Sequence, residues 1–327
     1  MDQNNVEFLY EKIDELASTI EHHNDKTYLE AVVDAMDILF HQQPFEDSEE
    51  LLHQNVEKLL SEVDLAQYKK EETRKAIQLV ILKGMKDATQ QQHLITPDAV
   101  AMFMGYLTSK LFENQEELTM FDPACGSANL LTSVMNQLSH NVKAYGSDVD
   151  ETLIRLALAN ANLQKNEIEF FHQDSLGAFL MEPVDFVVAD LPVGYYPDDL
   201  QASQYELAAE EGHSYSHHLF IEQGLTYTKA GGYLMFMVPN FLFDSDQSKQ
   251  LNAYLREHAH IVGMLQLPKS LFKQEKHAKS ILILQKKGEN TKTPQQALLA
   301  TLPSFKNHNA MADVLAQINQ WFDQHHK

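Results

Sequence analysis

The residues best suited to chemistry are acids at regular intervals. Asp122, Asp148 and Asp174 recur at one equal spacing, and each closes an apolar run. One strand, one helix and their turns take about that length, so the three acids are predicted at successive strand ends on one edge of a parallel sheet. Asp122 opens a tight turn through Pro123, Ala124, Gly126 and Ser127, and Asn129, Leu130, Leu131 and Val134 follow at helical spacing. Gly126 lacks a side chain, so a ligand can lie on the backbone there. A single acid at a strand end is usually a helix cap, and a glycine turn alone fits an ordinary strand-to-helix connection. A dinucleotide fold would need three spaced glycines, and this turn has one. Three acids in register beside it favour a nucleoside without a phosphate chain. Asp148, with Val149, suits ribose hydroxyls, and Asp174, with Ser175, suits an exocyclic adenine amine.

A fourth acid, Asp190, ends the apolar run Val184 to Ala189, read as a central buried strand. It begins Asp190-Leu191-Pro192-Val193-Gly194-Tyr195-Tyr196-Pro197. Upstream, Thr96-Pro97-Asp98 has the form of a helix start, with Thr as N-cap and Pro at the first helical position.

Asp122-Pro123-Ala124-Cys125-Gly126-Ser127 resembles the first motif of class I S-adenosylmethionine (SAM) methyltransferases, especially those acting on adenine N6 in DNA. Where the family continues with Gly, this chain has Ala128. The resemblance places Thr96 and Pro97 against the methionine part of SAM and gives Asp174 the adenine amine. It implies S-adenosylhomocysteine as product. It also makes Asp190 to Tyr196 the catalytic motif, usually Asn or Asp, Pro, Pro, then Phe or Tyr. In that chemistry an acidic or amide side chain and a backbone carbonyl hold the N6 hydrogens, and the aromatic ring holds a base taken out of the stack. Here Asp190 and Pro192 keep their places, Leu191 replaces a proline and Val193 replaces the aromatic. Tyr195 or Tyr196 is a substitute from the next turn; each equally fits a lid or core contact. The likeness to modification subunits of type I restriction systems covers roughly residues 90–287.

The surrounding elements divide in two. Residues 1–90 are expected to form a helical domain, with Val6, Leu9, Ile13, Leu16 and Ile20 on one face of its first helix. Further helices are expected at Tyr28 to Phe40, across Leu51 to Val63, and at Tyr68 to Lys86. Polar residues Gln90 to Leu94 mark the boundary. Residues 91–327 are expected to form the methyltransferase domain, a Rossmann-like, seven-stranded, mostly parallel sheet with helices on both faces. Asp198 to His218 reads as a long polar loop, Leu219 to Thr228 as a helix ended by Gly231-Gly232, and Ala310 to Phe322 as a closing helix. His213, His217 and His218 suggest a metal, but no Cys or fixed acid completes a site, so none is expected.

Composition limits the partners. There are 25 basic and 47 acidic residues, a net charge of −22, and only three arginines, Arg74, Arg155 and Arg256. Phosphate contacts need Lys or Arg, and guanine readout favours Arg, so the chain is not expected to read DNA alone. A specificity subunit would be required. Lys269 to Lys292 is a local exception, with seven lysines against Glu275 and Glu289, and reads either as a basic patch or as a solvated loop and strand rim. The start has no signal-peptide pattern, no apolar run approaches membrane-spanning length, and the one cysteine, Cys125, excludes an intrachain disulfide. A cytoplasmic protein is expected. A SAM-dependent N6-adenine methyltransferase is the first reading. An enzyme of the same fold acting on RNA or a protein amide, and a non-catalytic SAM-binding protein, are the alternatives.

Overall fold

A computed structural model describes residues 1–23, 25–44, 50–86 and 95–325. Helices α1 (Gln3–His23), α2 (Tyr28–His41), α3 (Glu50–Glu62) and α4 (Lys70–Gly84) come first. The apolar face of α1 is buried as its spacing predicts, through Val6, Leu9, Ile13, Leu16 and Ile20. Thr27 caps α2 in a capping box with Glu30, and the helix stops at Gln42 in the left-handed region, just before Pro44. The polar boundary at Gln90–Leu94 lies outside the described residues.

The sheet has strands β1 (Glu117–Asp122), β2 (Asn141–Asp148), β3 (Ile168–His172), β4 (Val184–Asp190), β5 (Thr228–Pro239), β6 (Ala259–Gln266), β7 (Lys279–Lys286) and β8 (Leu298–Thr301). Their order is β3-β2-β1-β4-β5-β7-β6-β8, and among the described residues only β7 runs antiparallel to its neighbours. The sheet is thus mostly parallel, as expected, with one strand more than the seven read from the sequence. That strand, β8, is four residues long at an edge, too short to show periodicity.

Apolar side chains alternate along β4. Phe186 and Val188 join a core with α5 (Asp98–Leu111), α6 (Asn129–Met135) and α11 (His308–His325). Val184, Val187 and Ala189 join another with α9 (Ser216–Thr226) and α10 (Ser248–His258). Between α7 (Glu151–Gln164) and the first four helices lies a third core, in which Leu156, Ala159 and Leu163 meet Ile13, Met36 and Ile77. The N-terminal helices are therefore seated on a helix of the sheet domain.

Two local expectations are corrected. Gly231-Gly232 does not end a helix. Helix α9 stops at Thr226, and both glycines lie within β5 where its register with β4 shifts. Gly231 has φ 82°, and a Cβ on Gly232 would stand 2.8 Å from the Asp185 carbonyl oxygen, so a bulge needs both. The polar loop also ends early. A short helix, α8 (Asp199–Ala202), forms within it, and α9 begins at Ser216, taking in His217 and His218. No helix among the described residues is long and apolar enough to cross a membrane.

Candidate active site

The order β3-β2-β1-β4 puts the switch in strand direction of travel between β1 and β4, and ligands bind at the carboxyl ends of strands there. Asp122 and Asp190 end those two strands, and Asp148 ends β2. Asp174 lies two residues beyond the end of β3. The sheet therefore gathers all four sequence-predicted acids along one edge.

Backbone amides hold this edge in shape. Asp122 is buried and its Oδ1 accepts from the Ala124 amide at 3.0 Å. Asp148 Oδ2 accepts from the Gly126 amide at 2.9 Å, so the acid of the second strand fixes the glycine turn of the first. Its Oδ1 accepts from the Asp150 amide at 3.0 Å. Gly126 has φ 52°, which glycine adopts without strain. Ala128, next to the turn, stands at φ 60°, where a Cβ costs about 1–2 kcal/mol. That conformation explains why glycine suits the position.

Burial pushes the Asp122 carboxyl well above the ordinary carboxylate range, and the charges of Asp148 and Asp190 push it further. Burial also raises Asp148. Among the described residues no Lys, Arg or His forms a salt bridge with Asp122 or Asp148. Burial thus disfavours the charged form of both acids, and a cationic ligand beside them would favour it. Two buried hydroxyls at the same strand ends, Ser127 Oγ and Ser175 Oγ, have no hydrogen-bond partner among the described residues. Val149 is exposed beside Asp148. Acids for a sulfonium, an ammonium and ribose, spare hydroxyls and an open apolar side chain fit SAM.

Arg74, from the helical region, was not anticipated here. Its side chain is 1% exposed, and Nη1 donates to Asn129 Oδ1 at 2.8 Å. Nη2 donates to Asp98 Oδ1 at 2.6 Å, and the guanidinium also grips Glu71. Asn129 Nδ2 in turn donates to the Thr96 carbonyl at 3.3 Å. Both ends of the Asn129 amide are thus engaged by protein. Pro97 is the N-cap of α5 and Asp98 its first residue, one place later than predicted.

Thr96 Oγ1 donates to Asp190 Oδ2 at 3.1 Å, tying the Thr-Pro pair to the stretch that begins at Asp190. Lys279 Nζ pairs with Asp190 Oδ1 and lies 3.4 Å from the Leu191 carbonyl oxygen. Leu191 is buried, while Pro192 and Val193 are exposed. The two tyrosines part company. Tyr196 is buried and its hydroxyl donates to Asp174 Oδ2 at 2.5 Å. Tyr195 is 57% exposed and stacks on Tyr215, with centroids 4.8 Å apart and planes at 15°. Backbone contacts build that pair: Tyr195 bridges Tyr215, the Ser216 amide donates to the Gly194 carbonyl at 2.9 Å, and the Tyr196 amide to the Ser214 carbonyl at 2.8 Å.

The ring of His217 lies 5.0 Å from that of Tyr215 and 6.0 Å from that of Phe241. His217 and His218 are wholly buried, with no hydrogen-bond partner on either ring nitrogen among the described residues. Burial lowers them to about 3 and about 4, so both are neutral at pH 7. His213 lies apart, on Asp199.

Several lysines of the lysine-rich stretch are engaged within the chain. Besides Lys279, Lys269 pairs with Glu275, Lys286 donates to the Thr228 carbonyl, and Lys287 to the Arg256 carbonyl. Lys279 was visible in the sequence only as part of that stretch. Tyr215 and Phe241 carried no signal beyond their aromatic type, and His217 drew notice only as one of three clustered histidines.

Residues 80–326 match the family model of N-6 DNA methylases, and residues 7–85 match that of the YtxK N-terminal helical domain. The chain is 47% identical over 329 residues to the uncharacterized protein YtxK of Bacillus subtilis (strain 168), covering 98% of this chain and 99% of that one. A crystal structure of a candidate class I SAM-dependent methyltransferase from Listeria monocytogenes superposes with a TM-score of 0.91 at 40% identity, covering 98% and 100% of the two chains. The methyltransferase subunit of a type I restriction-modification system from Streptococcus thermophilus shares the fold, with a TM-score of 0.64 at 16% identity, covering 94% and 74%. With its acids, glycine turn and strand order in place, the chain belongs to the N-6 DNA methylase family, whose cofactor is SAM.

Proposed function

We propose that this chain methylates an exocyclic amine of a planar base, adenine N6 in DNA, with help from a partner protein. The observation that carries this reading is the position of Asp190. It ends the strand next to Asp122, and Thr96 holds one of its oxygens. Asp122, Asp148 and Asp174 would hold the cofactor, with Ser127 and Ser175 as further donors. SAM supplies an electrophilic methyl group on a positively charged sulfur.

The chain's own residues do the rest. The Asp190 carboxylate and the Leu191 carbonyl accept the amine hydrogens and turn the nitrogen lone pair toward the methyl. As the nitrogen gains its methyl it becomes cationic, and Asp190 stabilises that charge and receives the proton. Val193 offers no face for stacking. Tyr195, exposed and stiffened by Tyr215, supplies one from two residues on. Stacking of this kind is worth about 1–3 kcal/mol per base. Recognition is assigned to a partner because the chain has a net charge of −22 and few arginines, of which Arg74 is buried in the Asn129 network.

The same two features, the acidic surface and Val193, favour a second reading, an RNA base or a protein amide as acceptor. Labelled SAM incubated with genomic DNA, RNA and lysate protein separates the two. Label recovered as N6-methyladenine in DNA is the expected result. Label only in RNA or protein would replace the first reading by the second. Bound SAM with label in no acceptor would favour a non-catalytic protein.

A further inference from the structure

Asp190 and the Leu191 carbonyl are the two acceptors an incoming amine would need, and one side chain already sits on both. Lys279 Nζ pairs with Asp190 Oδ1 and lies 3.4 Å from Leu191 O. The topology explains its reach. β7 is antiparallel to β5, so its first residue lies at the edge where the parallel strands end, and Lys279 stands opposite Pro239, the last residue of β5. The lysine side chain is 12% exposed and that of Asp190 21%. With Thr96 on Oδ2, both Asp190 oxygens are engaged. A bland ion pair would need only the carboxylate; the second contact, on the carbonyl, reproduces the grip expected for the acceptor amine.

We propose that Lys279 is the resident occupant of the acceptor-amine subsite and so determines which acceptors enter. This rests on the reading that Asp190 marks the point of transfer. A neutral amine offers two hydrogens and no charge. Lys279 offers a cation, and charge-assisted hydrogen bonds are roughly twice as strong as neutral ones. A neutral amine therefore loses the competition for Asp190 while Lys279 is in place. The site opens to an acceptor that brings an anion, such as a phosphate, to receive the displaced ammonium.

The test compares SAM with S-adenosylhomocysteine, which differ by a methyl group and a positive charge on sulfur. In the wild-type protein Lys279 neutralises Asp190. Lys279→Met and Lys279→Gln leave the carboxylate uncompensated, and Gln keeps a hydrogen-bond donor should Met unfold the chain. Titration calorimetry should show the preference for SAM over S-adenosylhomocysteine rising roughly fivefold or more in either variant, as expected for a unit charge at close range. An unchanged ratio in folded variants would overturn the proposal. Failure of the wild-type protein to bind either ligand would instead overturn the cofactor assignment. Methyl transfer to an adenine-containing single strand should also quicken about tenfold in Lys279→Gln. A slower rate would show that Lys279 assists transfer rather than obstructing it. Transfer in neither protein, with the affinity ratio shifted, would confirm only the ion pair with Asp190 and would sink the base-amine reading together with the proposal that rests on it.

Discussion

The two ends of the proposed site, one for the cofactor and one for the acceptor, are built by different means. At the cofactor end, Asp122 and Asp148 accept from backbone amides of the turns that follow β1 and β2, two strands that are neighbours in the chain and in the sheet. At the acceptor end, Asp190 meets Thr96 and Lys279 from remote parts of the chain, and Tyr195 meets Tyr215. The first is local and compact; the second depends on strand order. Substitutions should therefore separate binding of SAM from transfer of its methyl.

The largest effect is expected at Asp190. Asp190→Ala should lower methyl transfer by about a hundredfold or more, with SAM affinity changing far less. Rates with labelled SAM, beside calorimetry on the same protein, check the separation. An equal loss of both would erase the distinction between the two ends.

Arg74 comes next. Arg74→Met removes one buried cation from Glu71, Asp98 and Asn129, and breaking such a network costs about 3–5 kcal/mol. Chemical denaturation should show the loss. SAM should bind more weakly to the folded fraction, because Asn129 no longer steadies Thr96. Unchanged affinity would mean that the helical region supports the fold and not the cofactor end.

Asp122 gives a dependence on pH. Its carboxyl, raised by burial, is protonated more readily in the folded chain than in the unfolded one. Its contribution to stability is therefore full below the ordinary carboxylate range and is lost as pH rises through the folded value. Without ligand, Asp122→Asn should melt higher than the wild type at neutral pH and alike at acid pH. It should also bind SAM more weakly. Thermal melts across pH, with and without SAM, read both effects.

The smallest effect is expected at Ala128. Ala128→Gly relieves the left-handed backbone and should stabilise the protein by about 1 kcal/mol, read by denaturation, with methyl transfer preserved.

How far the sequence disclosed each end follows from the same contrast. The strand-helix rhythm showed β1, β2, β3 and β4 and their terminal acids, because apolar runs, turns and spacing are local signals. Helices α2 and α5 were visible for the same reason, although Pro97 and not Thr96 stands at the N-cap of α5. Lys279 was not, because its role depends on β7 lying antiparallel between β5 and β6, a pairing no short pattern encodes. Arg74 was hidden likewise, since its partners Asp98 and Asn129 come from the other side of the proposed domain boundary. The polar run before α9 read as a loop because His217 and His218 look hydrophilic, although both are buried beside Tyr215. Four-residue β8 was too short to register.

The most direct test of the cofactor end, on which the acceptor end depends, is calorimetric titration of the wild-type protein with SAM. The account expects saturable binding at one site, competed by S-adenosylhomocysteine. No heat and no competition would contradict it.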